Sequence, residues 1–391
     1  SPYHQGKLSS HIRILKDQAV YNKTIVCYTN LVGGQDELVF DGGSLVIDSK
    51  GKILNRAKQF KEDLVITDIK ISPKHKKIPK SKKIILDPPD FQKKPALPAP
   101  PKVKDRTLSR LEQVYRALVL GTHDYVIKNG FKKAVIGLSG GIDSALTTVI
   151  AVDALGKDNV TVVTMPSKYT SKATRTDAQR QAESLGVKLI TLPIGRVWEQ
   201  YLKLLKNEFK GSGADITEEN LQARIRGNLL MALSNKFGWL VLSTGNKSEM
   251  GVGYCTLYGD MAGGFAVIKD VPKTLVYELA VYRNKTAVLD LIPKSVIKRA
   301  PTAELKPGQK DQDSLPAYAK LDPILEAYIE QHKSLDDIIK KGYSAKVVKK
   351  VIRMVDRSEY KRRQGPPGVK ITPLVFGKDR RLPIVNYYKV K

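Results

Sequence analysis

Cysteine is nearly missing from this chain. Cys27 and Cys255 are the only two in 391 residues, too few for a disulfide scaffold or a cysteine zinc site and suited to a reducing cytosol. Long apolar runs are missing too: no stretch approaches the roughly 20 residues that cross a bilayer as a helix, so no membrane protein is expected. There is no charged-then-apolar leader, which argues against a secretory signal, and the first residue is Ser1 rather than Met, from which a start partway through something longer is expected. Acidic residues are outnumbered, 39 against 67 Lys and Arg, for a net charge of +28. Hydrophobic content of 41% and charged content of 27% are ordinary for a globular protein and exclude wholesale disorder. No internal repeat is evident, and the length suits two or three domains.

A surplus of +28 invites a nucleic-acid partner, so its distribution matters. Residues 70–106 hold 12 basic and 3 acidic residues, and residues 340–391 hold 16 and 3. These two stretches carry most of the excess, and the middle of the chain is close to balanced. A solvated linker and a basic tail account for that pattern, so no nucleic-acid partner is expected.

Residues 1–70 suggest a helix over LSSHIRILKDQAVYN, with Ile12, Leu15 and Ala19 at helical spacing, followed by three strands. KTIVCYTNLVGG, ELVFDGGSLVID and KILNRAKQF carry those strands, broken by Gly33-Gly34, Gly42-Gly43 and Gly51. So small a piece makes a poor core alone and is expected to be part of a larger sandwich. Residues 71–106, rich in proline and lysine, are expected to form a linker. From 107 to 391, apolar strands alternate with helical segments: AVIGL (134–138), VTVVTM (160–165), VKLITL (187–192) and WLVLS (239–243) are strands, and 217–236 is a long helix. That alternation predicts an α/β fold, a doubly wound parallel sheet with ligands beyond the carboxyl ends of its strands.

The sharpest motif follows the first of these strands: Gly137-Leu138-Ser139-Gly140-Gly141-Ile142-Asp143-Ser144. Paired glycines let the backbone approach a ligand closely, and a helix start then presents free N–H groups and a positive dipole end to phosphate. Ser139 and Ser144 add hydroxyls, and Asp143 is placed to hold magnesium on the phosphates. Neither the Walker pattern nor G-x-G-x-x-G is present. This is the pyrophosphate-loop signature of enzymes that cleave ATP to AMP and pyrophosphate, shared by GMP synthetase, asparagine synthetase and tRNA-thiolating enzymes. It points to ATP and leaves the acceptor open.

The acceptor is suggested by Met165-Pro166-Ser167, Glu219-Asn220-Leu221-Gln222-Ala223-Arg224-Ile225-Arg226-Gly227-Asn228, Ser243-Thr244-Gly245-Asn246-Lys247-Ser248-Glu249, Tyr258-Gly259-Asp260, Val271-Pro272-Lys273-Thr274 and Pro301-Thr302-Ala303-Glu304-Leu305. In this order, from about Leu108 to the C-terminus, they resemble NAD synthetases of the adenine nucleotide alpha hydrolase-like fold. Ser1-Pro2-Tyr3, Gly6-Lys7 and Asn30 to Gly42 resemble the final third of the nitrilase-like glutamine amidase fused ahead of the synthetase in glutamine-dependent members. The Glu–Lys–Cys triad of that amidase would lie upstream of Ser1. Neither cysteine is expected to be its nucleophile: Cys27 lies in an apolar strand as a buried packing residue, and Cys255 lies in the synthetase part.

The resemblance implies ATP on Gly137, Leu138, Ser139, Gly140, Gly141, Ile142, Asp143 and Ser144, with Met165, Thr244, Lys273 and Thr302 also against it. It implies magnesium on Asp143 and Glu249, although an early acidic helix residue is favoured by the dipole anyway. Deamido-NAD (nicotinic acid adenine dinucleotide) would be held by Asn220, Arg224, Glu249, Tyr254, Asp260 and Lys361. Arg224 and Arg226 could equally be exposed helix charges, Arg224 being favoured as a bidentate partner for a carboxylate, and Lys361 could belong to a solvated tail. Ser1 and Lys7 match glutamine-contacting positions. The implied activity is ATP-dependent amidation of deamido-NAD to NAD in a cytoplasmic homodimer, with ammonia as the nitrogen source for this chain and glutamine in the full-length family. GMP synthetase is the alternative, and a basic binding module with a degenerate loop is disfavoured because Asp143 and the paired glycines are intact.

Overall fold

The computed structural model describes residues 1–69 and 107–388. The expected linker over 71–106 lies outside the described residues. The described residues divide into two compact units, one made of residues 9–31, 42–69 and 107, the other of residues 1–8, 32–41 and 108–388.

The chain opens with α1 (Lys7–Tyr21) and five short strands: β1 (Val26–Tyr28), β2 (Val32–Gln35), β3 (Leu38–Asp41), β4 (Leu45–Ile47) and β5 (Ile53–Arg56). Two of the three expected strands are thus each split in two. Gly42 and Gly43 both sit at positive φ, +64° and +63°, where an L side chain is strained, and they separate β3 from β4. In the smaller unit, β1, β4 and β5 form an antiparallel sheet in the order β1-β4-β5. Its apolar face (Val26, Leu45, Ile47, Ile53) packs on Ile12, Leu15 and Ala19 of α1. Cys27 corrects the expectation of burial. Side chains alternate along a strand, so with Val26 turned to the helix, Cys27 points the other way and is exposed. Strands β2 and β3 pair as a hairpin within the larger unit. Gly34 donates its N–H to Asp124 at 2.7 Å and lies against the backbone of Gly121, with no room for a Cβ.

The larger unit is built on a five-stranded parallel sheet. Its elements are α2 (Arg110–Lys128), β6 (Ala134–Gly137), α3 (Ile142–Leu155), β7 (Val160–Thr164), α4 (Lys172–Leu185), β8 (Lys188–Thr191), α5 (Gly195–Leu205), α6 (Ile216–Phe237), β9 (Leu240–Ser243), α7 (Lys247–Val252), β10 (Phe265–Ala266) and α8 (Lys273–Thr286). The strand order β10-β9-β6-β7-β8 places the chain's reversal of direction between β6 and β9. That is where open α/β sheets bind their ligands. β10 and α5 were not among the expected elements; β10 is two residues long and pairs only with β9. Helices α5 and α6 cover one face through Trp198, Ile225 and Leu230 against Val135, Val163 and Val241. α3, with α2 and α8 behind it, packs on β6 and β7. Local signals set the helix starts: Ser109, Ser171 and Asn246 each accept a first-turn N–H, and Asp215 with Glu218 forms a capping box at α6.

The remaining helices are α9 (Lys294–Lys298), α10 (Tyr318–Leu325), α11 (Leu335–Lys340), α12 (Ala345–Arg357) and α13 (Glu359–Arg362). They correct the expectation of a solvated basic tail after residue 340. Val348, Val351, Ile352 and Val355 form one buried stripe of α12 and join a core with Leu321, Ile324, Leu325 and Phe376. Lys346, Lys350, Arg353 and Arg357 of α12 are exposed, and Arg362 is itself buried.

Candidate active site

The backbone leaves β6 at Gly137 and turns into α3 through Ser139, Gly140 and Gly141. Gly140 has a φ of +82°, and a Cβ there would stand 2.4 Å from the carbonyl oxygen of Thr174; no other residue fits. The loop's hydroxyls hold the loop itself. Ser144 Oγ donates to the Gly141 carbonyl at 3.0 Å, the Ser139 N–H donates to Ser144 Oγ at 3.2 Å, and the Gly141 N–H donates to Ser139 Oγ at 3.2 Å. Behind the loop, Arg299 donates to the Gly140 carbonyl at 3.3 Å and pairs with Asp177.

Beside this loop lies the centre of charge. Lys273, the first residue of α8, is buried and its Nζ stands 2.5 Å from Asp143 Oδ2 and 2.9 Å from Glu249 Oε1. Asn246 caps α7 by accepting the Glu249 N–H at 3.0 Å and donates its own amide to Asp143 Oδ1 at 3.0 Å. Tyr318 lays its ring 5.2 Å from Lys273 Nζ and donates its hydroxyl to Asp311 at 2.8 Å. Burial works against the charge on Lys273, but Asp143 and Glu249 outweigh it and hold the pKa above its ordinary value. Burial pushes Glu249 up to about 7 despite the pull of Lys273.

These groups line a cavity of about 300 Å³ at the carboxyl ends of β6, β7 and β9. Of the residues singled out from the sequence, Gly137, Leu138, Ser139, Gly141, Ile142, Asp143, Ser144, Met165, Thr244, Glu249, Tyr254, Asp260, Lys273 and Thr302 all line it. Gly140 does not; it braces the loop from behind. Asn220 is turned to Thr256, accepting its hydroxyl at 2.8 Å, while the Thr256 N–H donates to Asp260 at 2.7 Å. Lys361 is half-buried and donates to the carbonyls of Gly253 and Cys255, both at 2.8 Å. It therefore fixes the backbone around Tyr254 and is no part of a solvated tail. Ser1 and Lys7 line no part of this cavity; Lys7 Nζ donates to the Pro2 carbonyl at 2.5 Å.

The arginine pair comes apart in space. Arg224 is exposed and donates to the Leu257 carbonyl at 3.2 Å in a second cavity of about 530 Å³, with Tyr201, Met231, Tyr258 and Gln364. Arg226 lines the first cavity, half-buried, with its Nε donating to the Met165 carbonyl at 3.0 Å. Burial pulls the guanidinium pKa down while Glu304 opposes that shift. Gly227, Met261 and Ala262 line both cavities, which therefore adjoin.

No group of three or more His, Cys, Asp or Glu side chains that could hold a metal occurs among the described residues. Two carboxyl groups do converge on one ammonium, so Asp143 and Glu249 present more oxygens to the cavity than Lys273 alone occupies. Magnesium is commonly held by one or two carboxylates with substrate phosphates completing the shell. The donor set fits an ion that arrives with a polyphosphate and does not fit an all-protein cage.

The sequence model for NAD synthase matches residues 114–365, and that for carbon-nitrogen hydrolase matches residues 3–73. A glutamine-dependent NAD(+) synthetase from Thermotoga maritima is 49% identical over 400 residues, covering 100% of this chain and 69% of that protein. The solved structure of a glutamine-dependent NAD+ synthetase from Acinetobacter baumannii, in complex with adenosine diphosphate, is 46% identical with a TM-score of 0.66, covering 99% of this chain and 66% of that one. An NH3-dependent NAD synthetase from Campylobacter jejuni, in complex with the nitrate ion, is 27% identical with a TM-score of 0.53, covering 64% of this chain and 96% of that one. The chain thus spans about two thirds of the length of the glutamine-dependent proteins it resembles.

Proposed function

The chain belongs to the family of glutamine-dependent NAD(+) synthetases, and we propose that its larger unit carries out the amide-forming half of that chemistry, converting deamido-NAD to NAD at the expense of ATP. The family matches support this acceptor over guanine-nucleotide synthesis. The observation that carries the proposal is Lys273, held between Asp143 of the loop after β6 and Glu249 of the helix after β9, at the point where the sheet reverses.

In the first half-reaction the pyridine carboxylate attacks the α-phosphorus of ATP, the bond to the β-phosphate oxygen breaks, and pyrophosphate leaves an acyl adenylate. The N–H groups at the start of α3 and the ammonium of Lys273 face the charge that builds on the leaving group, where fixed donors matter most. Magnesium, held by Asp143 and Glu249, would neutralise phosphate charge. Met165 and Thr244 wall the nucleotide, and Arg226, also on that wall, adds a cation near its phosphates. In the second half-reaction ammonia attacks the adenylate carbonyl and AMP departs. Deamido-NAD would reach from the first cavity toward the second, where Arg224 offers a guanidinium to an anionic group.

For nitrogen, the chain is proposed to use free ammonia. Burial raises the Cys255 thiol to about 12, which keeps it from serving as a thiolate nucleophile at neutral pH, and Cys27 is an exposed strand residue. The test supplies ATP, magnesium and deamido-NAD with either ammonium chloride or ammonium-free glutamine. NAD formation with ammonium alone is expected; equal rates from both would overturn the ammonia reading, and no pyrophosphate from either would overturn the synthetase reading. A homodimer through α5 and α6 is part of the proposal, supported by exposed Val197, Tyr201, Leu204 and Phe237. A cytoplasmic setting is part of the same proposal; separately, no helix among the described residues is long and apolar enough to cross a membrane.

A further inference from the structure

Behind the cavity, one carboxylate from the C-terminal helical layer ties together the two helices that bring in Glu249 and Lys273. Asp322 of α10 accepts the Ser248 hydroxyl at 2.5 Å on one oxygen, and the N–H and hydroxyl of Thr274, both at 2.8 Å, on the other. Ser248 Oγ in turn accepts the N–H of Lys273 at 2.8 Å. Ser248 is fully buried and Asp322 nearly so. Ser248 immediately precedes Glu249 in α7, and Thr274 immediately follows Lys273 in α8.

The need for this arrangement comes from α8 itself. The first N–H groups of a helix have no partner within it. The residue before α8 is Pro272, which has no side chain able to cap. Ser248 and Asp322 take the N–H groups of Lys273 and Thr274 in its place. The same bonds fix α8 against α7, and so fix the distance between the ammonium of Lys273 and the carboxylate of Glu249. A buried carboxylate near a helix start is also favoured by the dipole.

We infer that Asp322 is a positioning residue for the first half-reaction, setting through Ser248 and Thr274 where the Lys273 ammonium meets the phosphates. This rests on Lys273 facing the phosphates, as proposed above. Misplacing a group by about an ångström at a reacting centre can cost up to ~100-fold. A contact made only in the transition state shows as loss of kcat with KM unchanged.

The experiment measures pyrophosphate release by the full chain with ATP, magnesium, deamido-NAD and ammonium chloride, and normalises rates to folded protein. Asp322→Ala is expected to lower kcat roughly 10- to 100-fold while KM for ATP stays within about twofold. Asp322→Asn is expected to recover most of kcat, since its carboxamide can accept from Thr274 and donate to Ser248 Oγ. Thr274→Val keeps the fold testable if Asp322→Ala does not fold, and is expected to lose kcat with unchanged KM. Lys273→Met is run alongside. Wild-type activity in Lys273→Met overturns the phosphate role of Lys273. An inactive Lys273→Met beside wild-type kcat in Thr274→Val and Asp322→Ala overturns the inference alone, as does a loss in Asp322→Ala confined to KM.

Discussion

Lys247 and Lys273 are two lysines of the same unit, buried to almost the same degree, with 4% and 3% of their side chains exposed, and each set between two carboxylates. Lys247 meets Asp270 at 2.9 Å and Glu330 at 2.7 Å, then places further donors on Thr372 Oγ1 at 2.5 Å and the Leu374 carbonyl at 3.1 Å. Asp270 is sealed from solvent and occupied by the N–H groups of Ile371 and Thr372. Among the described residues, Lys273 meets its two carboxylates and the face of Tyr318, and both carboxylates retain 18% exposure on a cavity wall. The same residue types thus make two different devices. Around Lys247 every donor is satisfied and the cluster joins α7 to the segment around Thr372. Around Lys273 the charges are held in place but left accessible.

The largest effect expected from breaking this pair is on stability. Lys247→Met strands Asp270 and Glu330 as uncompensated buried charges and should cost about 3–5 kcal/mol, read from urea denaturation. A cost near that of a surface substitution would mean that the cluster is not sealed. Next comes activity. Lys273→Met should cut pyrophosphate release by roughly 10²–10³-fold, with a melting temperature closer to wild type than that of Lys247→Met. A variant that unfolds more readily than Lys247→Met would make the two lysines alike after all. The smallest effect is one of pH. Burial opposes the charge of Lys247, Asp270 and Glu330 outweigh it, and its folded-state pKa lies above the ordinary 10.5. A cation whose pKa rises on folding contributes stability that is complete below the unfolded value and lost as pH climbs through the folded one. The stability gap between wild type and Lys247→Met should therefore stay constant from neutral pH to about 10.5 and close only above it. A gap that narrows near neutrality would show that the ammonium is not held between Asp270 and Glu330.

Much of the sheet and most of the first cavity are legible in the sequence. Short apolar strands alternating with helices can stack only as a parallel sheet, and the glycine-rich turn after Ile136 stands where such sheets bind ligands. Arg224 and Arg226 show where legibility stops. Residues two apart on a helix point about 200° apart, so one of the two had to leave the first cavity, and which one depends on how α6 rolls against the sheet. α6 offers little guidance, since its apolar residues are spread around it. Cys27 departs from the expected burial for a related reason: in a strand so short, either face can be the covered one. The tail after residue 340 did carry a signal, the apolar spacing of Val348, Val351, Ile352 and Val355, but net charge says nothing of periodicity. Arg299, Asp311, Tyr318 and Asp322 reach the site from segments far along the chain and have no local signature at all.

The bridge from Asp143 to Lys273 spans 130 residues of chain, and the same cavity takes its walls from segments between Gly137 and Pro366. The sheet itself already needs residues 134–136 of β6 to meet residues 240–242 of β9, and the site exists only once segments more distant still have met. Closing such long loops is costly in chain entropy, and a partial opening of any one contributor breaks the site without unfolding the core. Catalytic competence therefore depends on every one of these segments being in place at once, and is expected to fail before the sheet does on gradual denaturation.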